Sequence, residues 1–141
     1  MTKTVPFILH KHLPRSGSEH YDLRFLDPKN PKLLYSFAFG SKLLDSLDSK
    51  ISAVKTRDHD PRWLTLKSYR LDALDKGDCD IVIQRNNYFE MIFKGQILKG
   101  SYRLFALKTR RGDQWLFIKD KRVKEMLNKF SLVSKILQEN G

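Results

Sequence analysis

His20, Asp22 and Arg24 occupy alternate positions in the run His20-Tyr21-Asp22-Leu23-Arg24, and another histidine, His12, precedes them. Imidazole and carboxylate are metal-ligand types, and guanidinium is a phosphate-binding type. In an extended strand alternate side chains share a face, so these three project together while Tyr21 and Leu23 pack inward. His10 and His12 share a face of the preceding segment in the same way. If the two segments are neighbours, two imidazoles and a carboxylate converge. Such a set suits Mn²⁺, Fe²⁺, Co²⁺ or Zn²⁺ better than Ca²⁺ or Mg²⁺. Spacing alone leaves a surface or hydrogen-bonding role open for the histidines, and an ion pair with Asp22 open for Arg24.

His59 lies in a second cluster, Asp58-His59-Asp60-Pro61. An imidazole there can donate to a phosphate oxygen or act as a general acid. The competing reading is an Asx-type turn made by Asp58 or Asp60, with Pro61 setting its geometry. Lys94, Lys99, Lys108, Arg110, Arg111, Lys119, Lys121, Arg122 and Lys124 read as solvated strand ends and a helix start, some of them able to line a nucleic-acid path. Trp63, Tyr88, Tyr102 and Trp115 read as core residues before base-stacking platforms. Gly-rich phosphate loops, nucleophile elbows, Cys/His nucleophile pairs and zinc-finger spacings are missing from the chain. The single cysteine, Cys79, excludes an internal disulfide and a thiolate cluster and fits a reducing compartment.

The elements that must position these residues are short. Apolar runs at Phe7–Leu9, Tyr21–Leu26, Leu33–Phe39, Ile51–Val54, Trp63–Leu66, Asp80–Ile83, Tyr88–Phe93, Tyr102–Leu107 and Gln114–Ile118 read as strands. Turn signals separate them at Asp27-Pro28-Lys29-Asn30-Pro31, Asn86-Asn87, Lys94-Gly95 and Arg111-Gly112-Asp113. About nine short strands predict a mainly β fold, a small closed or partly open antiparallel barrel over about residues 6–119. Lys42 to Lys50 reads as a loop or a short helix. Val123, Met126, Leu127, Phe130, Val133, Ile136 and Leu137 follow helical spacing, which predicts an amphipathic helix over about 122–138 packed against the barrel. The whole of 1–141 reads as a single domain.

With 27 Lys and Arg against 16 acids, the formal charge of +11 favours polyanionic partners, nucleic acid first among them. The N-terminus lacks a signal-peptide pattern and no stretch is long enough to span a bilayer, so a soluble intracellular protein is expected, cytoplasmic or nucleoid-associated, without a membrane partner. A monomer is the simplest expectation.

The motifs taken in order resemble a known family. Phe7-Ile8-Leu9-His10-Lys11-His12 followed by His20-Tyr21-Asp22-Leu23-Arg24 is similar to the opening of the 3′-phosphoesterase module of DNA ligase D proteins. Tyr35-Ser36-Phe37-Ala38-Phe39, Val54-Lys55-Thr56-Arg57-Asp58-His59-Asp60-Pro61, the Phe93–Tyr102 stretch and Trp115-Leu116-Phe117-Ile118-Lys119 resemble its later blocks, covering roughly residues 7–122. The resemblance implies a small β-barrel that uses Mn²⁺, or another divalent transition metal such as Co²⁺ or Zn²⁺. It implies removal of a 3′-terminal ribonucleotide and a 3′-phosphate during DNA end joining, alongside a separate ligase or polymerase. It assigns the metal to His12, His20 and Asp22, and the scissile phosphate to Arg24 and His59. The chain departs from the family in its longer step from His12 to His20 and in lacking an arginine just before His20, for which Arg15 is the nearest substitute. Lys42 is shifted by one position, and Trp63 stands where the family has tyrosine. These departures make a nucleic-acid end-binding barrel with weakened or lost turnover the alternative.

Overall fold

The computed structural model describes residues 2–140, with backbone alone for 123–127 and 140. Eight strands form one closed antiparallel barrel: β1 (Lys3–His12), β2 (His20–Asp27), β3 (Asn30–Phe39), β4 (Lys50–His59), β5 (Leu71–Arg85), β6 (Tyr88–Lys94), β7 (Lys99–Ala106) and β8 (Gln114–Lys119). Around the ring they run β1-β2-β3-β4-β8-β7-β6-β5, and β5 closes on β1. Closure leaves no strand edge unpaired, which removes the usual route to edge-to-edge aggregation.

Period-two alternation builds the core. Val5, Phe7 and Leu9 of β1, Tyr21, Leu23 and Phe25 of β2, and Phe37 and Phe39 of β3 all point inward. They meet Phe89, Met91 and Phe93 of β6, Tyr102 and Leu104 of β7, and Trp115 and Phe117 of β8. The rings interlock edge-to-face, as in Phe7 on Phe93 at 5.0 Å, or stack, as in Tyr102 on Phe117 at 4.5 Å. Of the aromatic residues singled out above, Tyr102 and Trp115 are therefore core. Cys79 is buried in the same core, and burial raises its thiol far above the ordinary value.

Three expectations change. Trp63–Leu66 is not a strand; Pro61–Leu64 is a single-turn 3₁₀ helix, because Pro61 sets its first turn and the Asp60 carboxylate accepts from the Arg62 N–H. β5 is fifteen residues long and begins well before Asp80. The described part of the final helix, α1 (Arg122–Asn140), does not lay its apolar face on the barrel. Phe130 is 72% exposed and Leu137 67%, and Leu132, Val133 and Ile136 are also exposed. Val123, Met126 and Leu127 fall outside the described side chains. The Lys42–Lys50 stretch resolves as a short 3₁₀ helix at Leu44–Ser46. No helix among the described residues is long and apolar enough to cross a membrane.

The connection from β4 to β5 positions the site. β4 and β5 are not neighbours in the ring, where β3, β2 and β1 separate them on one side, so the chain after His59 makes a long crossing to reach β5. Pro61–Leu64 contacts β3 and β1 on that path. A register shift opposite Leu34 and Ser36 in β4 bends the strand just before this crossing.

Candidate metal centre

Strand pairing supplies the convergence that spacing alone left open. His12 pairs directly with His20, His10 with Asp22, and Ile8 with Arg24. The outer face of β1 and β2 therefore carries two columns of chemistry-bearing residues, while Tyr21 and Leu23 fill the core behind them. The His12 and His20 rings meet at 4.8 Å.

Asp22 sits between the imidazoles. Its Oδ2 bonds His12 Nδ1 at 3.0 Å and its Oδ1 faces His20 Nε2 at 3.2 Å. Ligand atoms of His12, His20 and Asp22 all lie within 4.8 Å of one another. His20 Nδ1 lies 3.4 Å from the Ser18 carbonyl, which can only accept, so this nitrogen carries the proton. Nε2 of a neutral His20 then turns a lone pair toward a carboxylate oxygen. Two acceptors face each other there unless a cation, a proton or a metal ion, lies between them. A backbone carbonyl fixing the far nitrogen is also the usual support for a metal-ligating histidine. The donor set fits a divalent transition metal.

Arg24 lies beside the cluster, 3% exposed. Its Nη2 donates to Asp22 Oδ2 at 3.3 Å and its Nη1 to His10 Nδ1 at 3.1 Å. Trp63 covers it, with the guanidinium 4.5 Å from the ring centroid. Burial, and second the Arg24 charge, lower the pKa of His10 to about 4. Neutral His10 can therefore accept from Arg24, which leaves its protonated Nε2 buried without a partner.

His59 ends β4 and packs edge-on against Trp63 at 4.6 Å. Burial first and the Arg24 charge second hold it below the ordinary histidine range. Its Nδ1 and the Nε of Arg24 are both buried without a hydrogen-bond partner. Arg15, in the 13–19 loop, and Lys42 are exposed, and among the described residues no hydrogen bond or ion pair joins either to the cluster. Two neighbours escaped the sequence-based site. His10 had its alternation with His12 as a signal; Trp63 had its place after His59 and Pro61, where the resembled family has tyrosine.

Fold and site together define a closed antiparallel barrel with a two-histidine, one-carboxylate cluster on its outer wall, flanked by a buried arginine. Neither protein-family models nor curated proteins give a match to the chain.

Proposed function

We propose that the chain is a metal-dependent phosphoesterase acting on 3′ ends of nucleic acid, removing 3′-phosphates and 3′-terminal ribonucleotides in DNA end repair. The observation that carries this reading is the joint placement of His12, His20 and Asp22 around one point with Arg24 and His59 beside them. His12, His20 and Asp22 would hold Mn²⁺, Co²⁺ or Zn²⁺. When bound, the metal would offset negative charge developing on the phosphoryl group and lower the pKa of a water.

Arg24 and His59 supply the remaining polar contacts. Arg24 Nε and His59 Nδ1 lack partners in a buried setting, and such groups cost free energy until an oxygen or nitrogen satisfies them. Non-bridging phosphate oxygens are suitable partners for both. Because its pKa is lowered, His59 is neutral at pH 7 and contributes a hydrogen bond in place of a stored proton. The formal charge of +11 would draw the strand to the barrel.

The decisive assay supplies Mn²⁺ and a primer-template ending in a 3′-phosphate or a single 3′-ribonucleotide. Release of phosphate or of the terminal nucleotide is expected, with His20→Ala lower by ~100-fold or more. Absence of both products with the native protein would overturn the proposal.

One observation favours a binding-only barrel: Arg24 is buried beneath Trp63 and already engaged by Asp22 and His10. On that reading DNA binding weakens steeply with salt yet is unaffected by Asp22→Ala, and Mn²⁺ promotes no turnover.

A further inference from the structure

A second concave site lies at the other end of β2, independent of the metal cluster. His20 and Asp27 terminate that strand, roughly 23 Å apart at ~3.3 Å per residue. At the Asp27 end the β2–β3 turn and the β5–β6 hairpin surround a cavity of about 410 Å³ in the mouth of the barrel. That volume falls within the range of small-ligand sites, ~300–1,000 Å³.

The lining divides by chemistry. Tyr35 gives it an aromatic wall, backed by Phe89 and Trp115, which are only 2% and 5% exposed. Lys29, Lys55 and Arg85 bring three cations to it, and Gln84 and Asn86 bring amides. Its one lining carboxylate, Asp27, has both oxygens occupied. Oδ1 accepts from the Lys29 N–H at 2.8 Å and from Gln84 at 3.0 Å, and Oδ2 accepts from Tyr35 at 3.0 Å. Gln84 also donates to the Tyr35 hydroxyl at 3.1 Å, so its amide nitrogen is turned to this network and its carbonyl oxygen away from it. Burial, with the Asp27 bond second, pushes the Tyr35 hydroxyl up to about 12, which keeps it a donor. Lys55 is paired with Asp58 at 2.9 Å, whereas neither Lys29 nor Arg85 has an ion pair among the described residues. A smaller cavity of about 220 Å³ adjoins it through the shared Lys29 and Gln84 and adds Lys3.

An aromatic wall at Tyr35 under a cationic rim matches a ligand with a flat ring at one end and an anion at the other. The amides offer hydrogen bonds to ring edges. We infer that the barrel mouth binds a single nucleotide unit, its base against Tyr35 at the point where Trp115 comes nearest the surface and its phosphate among Lys29, Lys55 and Arg85. The unit is either a free nucleoside monophosphate or one nucleotide of a single strand, and the chemistry of recognition is the same.

Trp115 is the reporter. In a Trp63→Phe background its emission reads the cavity alone, since the chain has two tryptophans. A nucleoside 5′-monophosphate should quench it saturably. The bare nucleoside and ribose 5-phosphate should each bind ~10-fold or more weakly, because each lacks one half of the recognition. Lys29→Gln with Arg85→Gln, both exposed positions, should weaken the monophosphate by ~10-fold or more, and calorimetry on the chain with Trp63 intact should agree. Adding His20→Ala, at a partly exposed ring, to the reporter protein should leave binding unchanged, which separates this site from the metal cluster. A short single-stranded oligonucleotide that binds more tightly than the monophosphate identifies the unit as part of a strand; equal or weaker binding identifies the free nucleotide. Lack of saturable quenching, indifference to the paired charge substitution, or loss of binding with His20→Ala would overturn the inference.

Discussion

Asp22 links most of the polar groups at the proposed metal site, because its carboxylate faces His12, His20 and Arg24 together. Removing it leaves a buried guanidinium without its counter-charge, an uncompensated state that costs ~3–5 kcal/mol. Asp22→Ala should therefore lower unfolding stability by about 3 kcal/mol in urea with a chelator present. His20→Ala, at a partly exposed ring, should cost no more than ~1 kcal/mol there while abolishing metal uptake. Equal losses of stability would show that Arg24 does not depend on Asp22. His10 adds a pH signature. Its pKa is about 4 in the fold against 6.5 ordinarily, so between those values the unfolded chain binds a proton that the folded chain refuses. Stability is intact above pH 6.5 and falls as the pH drops toward 4, by ~3 kcal/mol over the full window. His10→Gln keeps an acceptor for Arg24 and should flatten that slope, read as the difference in urea midpoint between pH 7.5 and pH 4.5. A slope as steep as in the native protein would remove His10 as its source.

At the scale of elements, period two made the β1–β2 site legible from sequence. Polar residues at His10, His12, His20, Asp22 and Arg24 alternate with Leu9, Lys11, Tyr21 and Leu23, and register pairs the two columns. The first half of β5 was hidden because Asp72, Asp75, Lys76, Gly77 and Asp78 break the apolar alternation that marks a strand. Asp75 shows why such a residue belongs there. Its carboxylate leaves the sheet to accept from the N–H groups of Gln96, Ile97 and Leu98 at 2.9, 2.9 and 2.7 Å, closing the β6–β7 turn. A carboxylate meeting three amides is a long-range arrangement that no local pattern announces. Gly95 completes it, since a Cβ there would run into the Asp75 carboxylate and would sit 2.7 Å from Phe7. Asp75→Ala should destabilise the barrel by ~2–4 kcal/mol, as charge-assisted bonds are lost and three turn amides are left without acceptors. Mn²⁺ uptake at the proposed His12, His20 and Asp22 site should be unchanged. A urea midpoint shifted by less than ~1 kcal/mol equivalent would mean that water replaces the carboxylate fully.

Across the whole molecule, stability resides in the ring of strands. The core rings come from β1, β2, β3, β6, β7 and β8, and closure through β5 and β1 gives every strand two partners. Helical spacing correctly located α1, but periodicity reports only that a helix has an apolar face, not what covers it. Phe130, Leu132, Val133 and Leu137 remain exposed, so residues 128–139 contribute little buried apolar area to the fold. Among the described residues, Arg122 ties the start of the C-terminal segment to the barrel, pairing with Asp120 at 2.8 Å and also with Glu90. A chain ending at Leu127 keeps that tie. It should melt within ~2 °C of the full chain, because small changes in buried area move the midpoint by only a few degrees. The urea slope, which follows the surface exposed on unfolding, should fall only slightly. A drop of ~5 °C or more, about 1.5 kcal/mol for a chain of this size, would mean that the segment after Leu127 stabilises the barrel after all.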